Sequence, residues 1–332
     1  MGKLSNEALR KMLTCIKKSP KVIVPPLPGF DSGVHLIDAE KCIVVSTDPC
    51  IGVPQKWFGW LLIHYAASDV ALFGAKPEFC SINLLGSSET SDETFNDIMR
   101  QVCTAADELE MAVVTGHTGT YKGLSTLLGT CTAYGVIDRS KLIMPNGARL
   151  GDYILCTKPI GFETVVNFAL TQPTLAKKLF GAKQTVELEN LVSLQTCVKE
   201  ALLLAGIEGT HAMHDATEGG LVAALNEMAG TSKVGFKVEF EKLPIPKEAV
   251  LLQKHFCFTD EQLLSMSSTG TIVAAVAAEA KNKVETVLQR HGIEASVVGV
   301  FTRSQQHILI KDGRHAVFPE KADDPYERIM ST

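Results

Sequence analysis

An α+β fold built as two α/β domains is the architecture this sequence predicts, and three observations carry the prediction. Short β-branched runs and amphipathic helical repeats recur in both halves without strict alternation. A punctuated link at 138–147, containing Pro145 and Asn146-Gly147, breaks the pattern near the middle. The chain has 332 residues, 45% hydrophobic and 21% charged, which suits two buried cores better than one. Domains of 1–150 and 151–332 are therefore expected.

In chain order, residues 4–16 predict a short amphipathic helix ended by lysines and Pro20. Prolines 25, 26 and 28 then force an extended or turning chain into the loop Gly29-Phe30-Asp31-Ser32-Gly33. Residues 41–47 (KCIVVST) read as a buried strand with Asp48 at its carboxyl end. Residues 58–74 read as a helix apolar on almost every side, stopped by Gly74 with Pro77 beyond. Residues 79–84 predict a strand and 91–110 an amphipathic helix. A third strand, MAVVTG, leads into a glycine-rich loop at 116–125 centred on His117, and 127–137 returns as a strand. In the second half, strands are expected at 149–157, 235–240, 271–276 and 295–301, with a final hairpin of 308–311 and 316–318 about Asp312-Gly313. Helices are expected at 162–170, 189–206, 220–229 and 279–291. The sequence contains no short repeat and no low-complexity tract.

Charge and cysteine usage narrow the function. With 32 basic and 37 acidic residues the net charge is −5, and no window gathers the basic ones, which disfavours nucleic-acid binding. Nine cysteines lie scattered in mostly apolar runs without a CxxC pair, as expected of reduced thiols in a cytoplasmic protein. The histidines show no zinc spacing. The amino terminus has no continuous apolar core, so neither a signal peptide nor a membrane span is expected.

Two stretches carry the chemistry. The first is MHDATEGGLVAALNEMA, residues 213–229, a polar glycine turn opening into a helix whose Leu221, Ala224, Leu225 and Met228 share a buried face. Asp215 and Thr217 can cap such a helix, and Gly219 and Gly220 let backbone approach a ligand closely. The helix start suits a phosphate, the alternative being a capped core helix. The second is Asp69, a carboxylate in the last turn of an apolar helix, where both the helix dipole and desolvation oppose it. A divalent cation shared with Asp48 and Asp31 would compensate, and magnesium suits such carboxylates because it also bridges to substrate phosphates. A lysine or N–H partner for Asp69, and a plain turn at Asp31, remain the alternatives.

Read together, Gly29 to Gly33, Ser46 to Asp48, ASDVALFGAKP at 67–77 and HDATEGGLVAALNEMA at 214–229 resemble a superfamily of ATP-using enzymes. It includes aminoimidazole ribonucleotide (AIR) synthase, thiamine-monophosphate kinase, selenophosphate synthetase and the hydrogenase-maturation protein HypE, and HypE is the most similar. SSTGTIVAAV at 267–276 and VVGVFT at 297–302 extend the resemblance over nearly the whole chain. It implies an amino-terminal domain whose strands pair with a second subunit in a homodimer, a carboxyl-terminal domain, and ATP between them. It also implies that Asp31, Asp48 and Asp69 hold magnesium on the phosphates. The catalytic set implied is Asp48, Asp69 and Asp215, and the nucleotide-binding set Asp31, Gly116, His117, Thr118, Thr217, Glu218, Gly219 and Gly220. These enzymes phosphorylate an amide or acid oxygen to make it a better leaving group.

Some residues depart from the pattern. HypE proteins carry a carbamoyl group on a terminal cysteine, whereas this sequence reads PYERIMST after its last cysteine, Cys257. Glu218 stands where arginine is usual, Trp60 where lysine is frequent, and His117 where an acid is common. The expectation is a HypE-like enzyme with a different small or tethered substrate and a possible maturation-protein partner. The alternatives are a catalytically altered ATP-binding assembly or regulatory protein, or a thiamine-monophosphate-kinase-like phosphotransferase.

Overall fold

The computed structural model describes residues 6–331, so positions 4 and 5 of the first expected helix lie outside the described residues. Two compact units divide between Leu142 and Ile143. The first runs from Leu13 to Leu142. The second holds the chain from Ile143 onward together with the amino-terminal segment as far as Met12, so all of helix α1 (Asn6–Leu13) but its last residue belongs to it.

The first unit contains β1 (Val22–Val24), β2 (Gly33–Leu36), β3 (Lys41–Ile51), α2 (Phe58–Leu72), β4 (Phe79–Gly86), α3 (Asp92–Glu108), β5 (Ala112–Thr120) and β6 (Leu128–Asp138). The strands form one sheet in the order β1-β2-β3-β6-β4-β5, antiparallel except for β4 beside β5. Helix α2 packs on β3, β6 and α3. Its residues are all buried except Tyr65, as its apolar circumference predicted. Ser91 caps α3 by accepting the Thr94 N–H at 3.2 Å, and Ile98, Val102, Ala105 and Ala106 form its buried stripe.

Two strands run further than their sequences suggested. β3 continues to Ile51, so Asp48 lies inside the strand and not beyond its end. Pro49 is tolerated because β2 pairs with β3 only as far as Val45, which leaves that edge open where proline lacks its N–H. β5 continues to Thr120, so Gly116, His117 and Thr118 belong to a strand and not to a loop. Their pairing with Ile82, Asn83 and Leu84 of β4 supplies the hydrogen bonds that override the glycine signal.

The second unit contains β7 (Tyr153–Thr157), α4 (Phe162–Thr171), α5 (Pro173–Phe180), α6 (Ala182–Glu189), α7 (Val198–Ala205), β8 (Thr210–Asp215), α8 (Gly220–Ser232), β9 (Gly235–Glu239), α9 (Lys247–Phe256), α10 (Asp260–Leu264), β10 (Ile272–Val276), α11 (Lys281–Arg290), β11 (Ala295–Thr302), β12 (His307–Lys311), β13 (Arg314–Val317) and α12 (Tyr326–Met330). The sheet order is β13-β12-β9-β11-β7-β10-β8, with β12 parallel to β9 and the other pairs antiparallel. Leu221, Leu225, Phe236, Val273, Val298 and Phe318 anchor its core.

The expected helix at 189–206 is broken. α6 ends at Glu189, and α7 starts only at Val198. Between them Gln195 is buried and donates to Asn167 Oδ1 at 2.9 Å, so a polar side chain draws the chain inward and interrupts the helix. β8 was not anticipated. Its two histidines hid a strand pattern, because His211 pairs with Asp152 at 2.8 Å and His214 with Glu227 at 3.1 Å.

Candidate functional site

Within the first unit, β3 and α2 bring acidic groups to one interface. Side chains on a strand alternate between faces, so Ser46 and Asp48 share the face of β3 that packs on α2. Ser46 Oγ donates to Asp69 Oδ2 at 2.6 Å, and Asp69 is only 5% exposed. The short bond orients the carboxylate and offsets part of its desolvation. Asp48 is partly exposed two residues further along the same face. Asp31 lies two residues before β2, whose first residue pairs with Val45, so it enters the sheet at the Ser46–Asp48 end of β3.

Gly116, His117 and Thr118 occupy the edge strand β5. They are exposed, and His117 Nε2 lies 2.7 Å from the Tyr121 hydroxyl.

The second unit supplies the glycine turn. Asp215 closes β8, residues 216–219 turn, and α8 starts at Gly220. The expected capping by Asp215 or Thr217 does not occur, because Gly219 is the N-cap and no side chain caps the helix from that position. Gly219 and Gly220 have φ of +87° and +56°, a left-handed backbone that places Gly220 against the Met266 and Leu264 carbonyls. A Cβ on Gly220 would stand 2.5 Å from the Met266 oxygen.

Sequence reasoning missed the residues that surround this turn. Ser268 N–H donates to Ala216 O at 2.9 Å, and Ala216 N–H donates to Thr271 O at 2.9 Å. Asp324 Oδ2 accepts from Gly219 N–H at 3.0 Å and from Ser267 Oγ at 2.6 Å. Burial raises the Asp324 carboxyl above its ordinary range despite these bonds. Glu163, in the first turn of α4, accepts from Thr269 Oγ1 at 2.6 Å and from Thr269 N–H at 3.3 Å. Burial pushes its carboxyl up to about 7, the Thr269 bonds oppose the rise, and the Asp324 and Glu218 charges add to it. The turn therefore sits among carboxylates. The polar tract Ser267-Ser268-Thr269-Gly270, directly before an apolar strand, was the signal that could have located this shell.

Comparison with known proteins identifies the lineage. Residues 29–137 match the AIR synthase related protein, N-terminal domain, and residues 149–312 match the C-terminal domain of the same family. A putative hydrogenase expression/formation protein of Methanocaldococcus jannaschii is 27% identical over 311 residues, covering 91% of this chain and 89% of its own. Carbamoyl dehydratase HypE of Bradyrhizobium diazoefficiens is 28% identical over 289 residues, covering 85% and 80%. A crystal structure of hydrogenase maturation protein HypE in complex with ATP shares the fold, with a TM-score of 0.73, 21% identity and 89% coverage of either chain. Both domain models match in order, and together they span most of the sequence. The chain belongs to the AIR synthase related protein family.

Proposed function

We propose that this protein is a HypE-like, ATP-dependent enzyme that activates a carboxamide or similar oxygen by phosphoryl transfer. The observation that carries the reading is Asp69, a buried carboxylate held by Ser46 on the face that also bears Asp48. Names among its relatives, HypE and hydrogenase expression/formation protein, point the same way, as does the ATP complex of HypE.

The residues present fit magnesium. Carboxylates are hard, acceptor-only oxygen donors, the type this ion selects. Asp48 and Asp69 would hold it, and it would neutralise charge on the triphosphate; the expected third carboxylate, Asp31, forms no three-carboxylate cluster with them among the described residues. Asp69 is kept in place by the Ser46 hydroxyl, and β3 fixes Asp48 on a rigid strand, so these side chains position and do no covalent chemistry. The glycine turn presents the N–H end of α8 to an anionic part of the substrate, with Asp215, Thr217 and Glu218 beside it. Gly116, His117 and Thr118 have a less direct role as nucleotide contacts, since they lie on an edge strand.

The test is magnesium-dependent ATP hydrolysis and ATP binding by the wild type and by Asp48→Asn and Asp69→Asn. Loss of both in either variant, with an unchanged fold by circular dichroism, is expected. Wild-type binding and turnover in both variants would refute the assignment.

We propose a homodimer formed through the first unit's sheet. The face of that sheet away from α2 carries Ile43, Val45 and Val136 and the stacked rings of Phe79 and Tyr134, 5.5 Å apart, and Phe79 and Val136 are both exposed. A monomeric mass by light scattering at micromolar concentration would contradict it. A maturation protein is the corresponding candidate partner. Among the described residues no helix is long and apolar enough to cross a membrane.

A second reading, an assembly or regulatory subunit that binds ATP without turnover, is motivated by Glu218, Trp60 and His117, which depart from the residues usual at those places in the family it resembles. Tight ATP binding by calorimetry, without hydrolysis across candidate amide substrates, would select it.

A further inference from the structure

The segment that leads into the first sheet differs in charge from the rest of the chain. Contrary to the expectation from the sequence, basic residues do gather at one place: residues 8–30 hold Arg10, Lys11, Lys17, Lys18 and Lys21 and no acid, in a chain whose net charge is −5. All five are exposed. Large apolar side chains are exposed among them, Met12 by 54%, Ile16 by 49%, Val22 by 39% and Leu27 by 43%. Met12 stands in the last turn of α1, and Ile16 follows in a turn closed by its N–H to Leu13 O at 3.1 Å. Val22 opens β1, the outer strand of the sheet, and Leu36 N–H donates to Lys21 O at 2.8 Å, so Lys21 is held at the sheet edge.

We propose that this amino-terminal segment is a docking surface for an anionic lipid bilayer, with its five cations on the lipid headgroups and the aliphatic ends of Met12, Ile16, Val22 and Leu27 in the hydrocarbon margin. Exposed apolar side chains gathered within a polar rim mark a binding surface. Lysine and arginine stems lie along apolar groups while their charges reach phosphate, as in an interfacial amphipathic segment. Charge complementarity selects the occupant. Five of the chain's 32 basic residues and none of its 37 acids fall in this stretch, so the remainder is the more acidic. An anionic plane therefore attracts this end and repels the rest, which sets the orientation of the molecule on the surface. Pairing with the same segment of a second copy is disfavoured, because like charges meet and because the lysines, with Pro25 and Pro26 after β1, deny the edge to another strand. A nucleic acid would use the charges and leave the aliphatic ends in water, and Phe30 is the one aromatic residue in the stretch for a base to stack on.

The full-length wild type, a Lys17→Ala/Lys18→Ala variant and a Met12→Ser/Ile16→Ser variant are titrated with vesicles of phosphatidylglycerol and phosphatidylcholine in equal parts, and with phosphatidylcholine alone, and bound protein is read by flotation. Circular dichroism checks that each chain is folded. The wild type should rise with the anionic vesicles only, and less at high salt. The lysine variant should bind them about thirtyfold more weakly and the apolar variant about tenfold more weakly. A wild type that floats with neither vesicle overturns the proposal, as does equal binding by all three chains. Binding of a fluorescent duplex DNA without binding of vesicles would assign the segment to nucleic acid and overturn it. A lower mass of either variant by light scattering, with vesicle binding unchanged, would assign the segment to a second copy and overturn it as well. None of these outcomes bears on the nucleotide reading, because the substituted residues lie outside the site assigned to ATP.

Discussion

Replacing Glu163 with glutamine should change how stability responds to pH, and the sign follows from its surroundings. Its carboxyl has an ordinary value of 4.5 and stands at about 7 in the folded chain, chiefly through burial. Between those values the folded state holds a proton that the unfolded state has released, so stability falls as pH rises across this window. The destabilisation is absent below about pH 4.5 and complete above about pH 7, and the separation corresponds to ~3 kcal/mol. Glutamine cannot ionise and keeps an oxygen to accept from Thr269, so Glu163→Gln removes the penalty while preserving the local bonds. Urea unfolding followed by far-ultraviolet circular dichroism at pH 5, 6, 7 and 8 measures the difference. The variant should gain progressively on the wild type, by up to ~3 kcal/mol at pH 8, with the two close together at pH 5. Parallel pH profiles would refute the reasoning.

Other substitutions test the packing and the site. Ser46→Ala strips the hydroxyl from the buried Asp69 carboxylate and should lower stability by about 1–3 kcal/mol, read as a fall in Tm by scanning fluorimetry. Gly135→Ala would set a Cβ 1.9 Å from the Lys76 carbonyl oxygen and should cost on the order of 3 kcal/mol, seen as a lower urea midpoint. Phe236→Ala removes a fully buried ring that stacks on His307 at 4.4 Å and meets Phe318 edge-on, and calorimetric unfolding should report a loss of about 3–5 kcal/mol.

The sequence by itself determined the α+β class, the family and most of the regular elements, because hydrophobic periodicity and capping residues are local signals. The apolar circumference of α2 and the stripe of α3 appear in the structure as written, and the isolation of Asp69 in an apolar helix was legible before any fold was known. Tertiary structure decided what no local pattern encodes. Sheet partners extended β3 past Asp48 and kept Gly116, His117 and Thr118 in β5, since a hydrogen-bonding neighbour can outweigh a loop-like composition. A buried Gln195 broke a helix that its apolar neighbours favoured. Above all, Asp324 lies more than a hundred positions from Gly219 in sequence, and only the folding of the second unit brings its carboxylate onto the turn. The sequence marked the start of α8 as a place for an anion, and the fold supplied one from the chain itself, because hydrogen bonding and desolvation depend on neighbours in space.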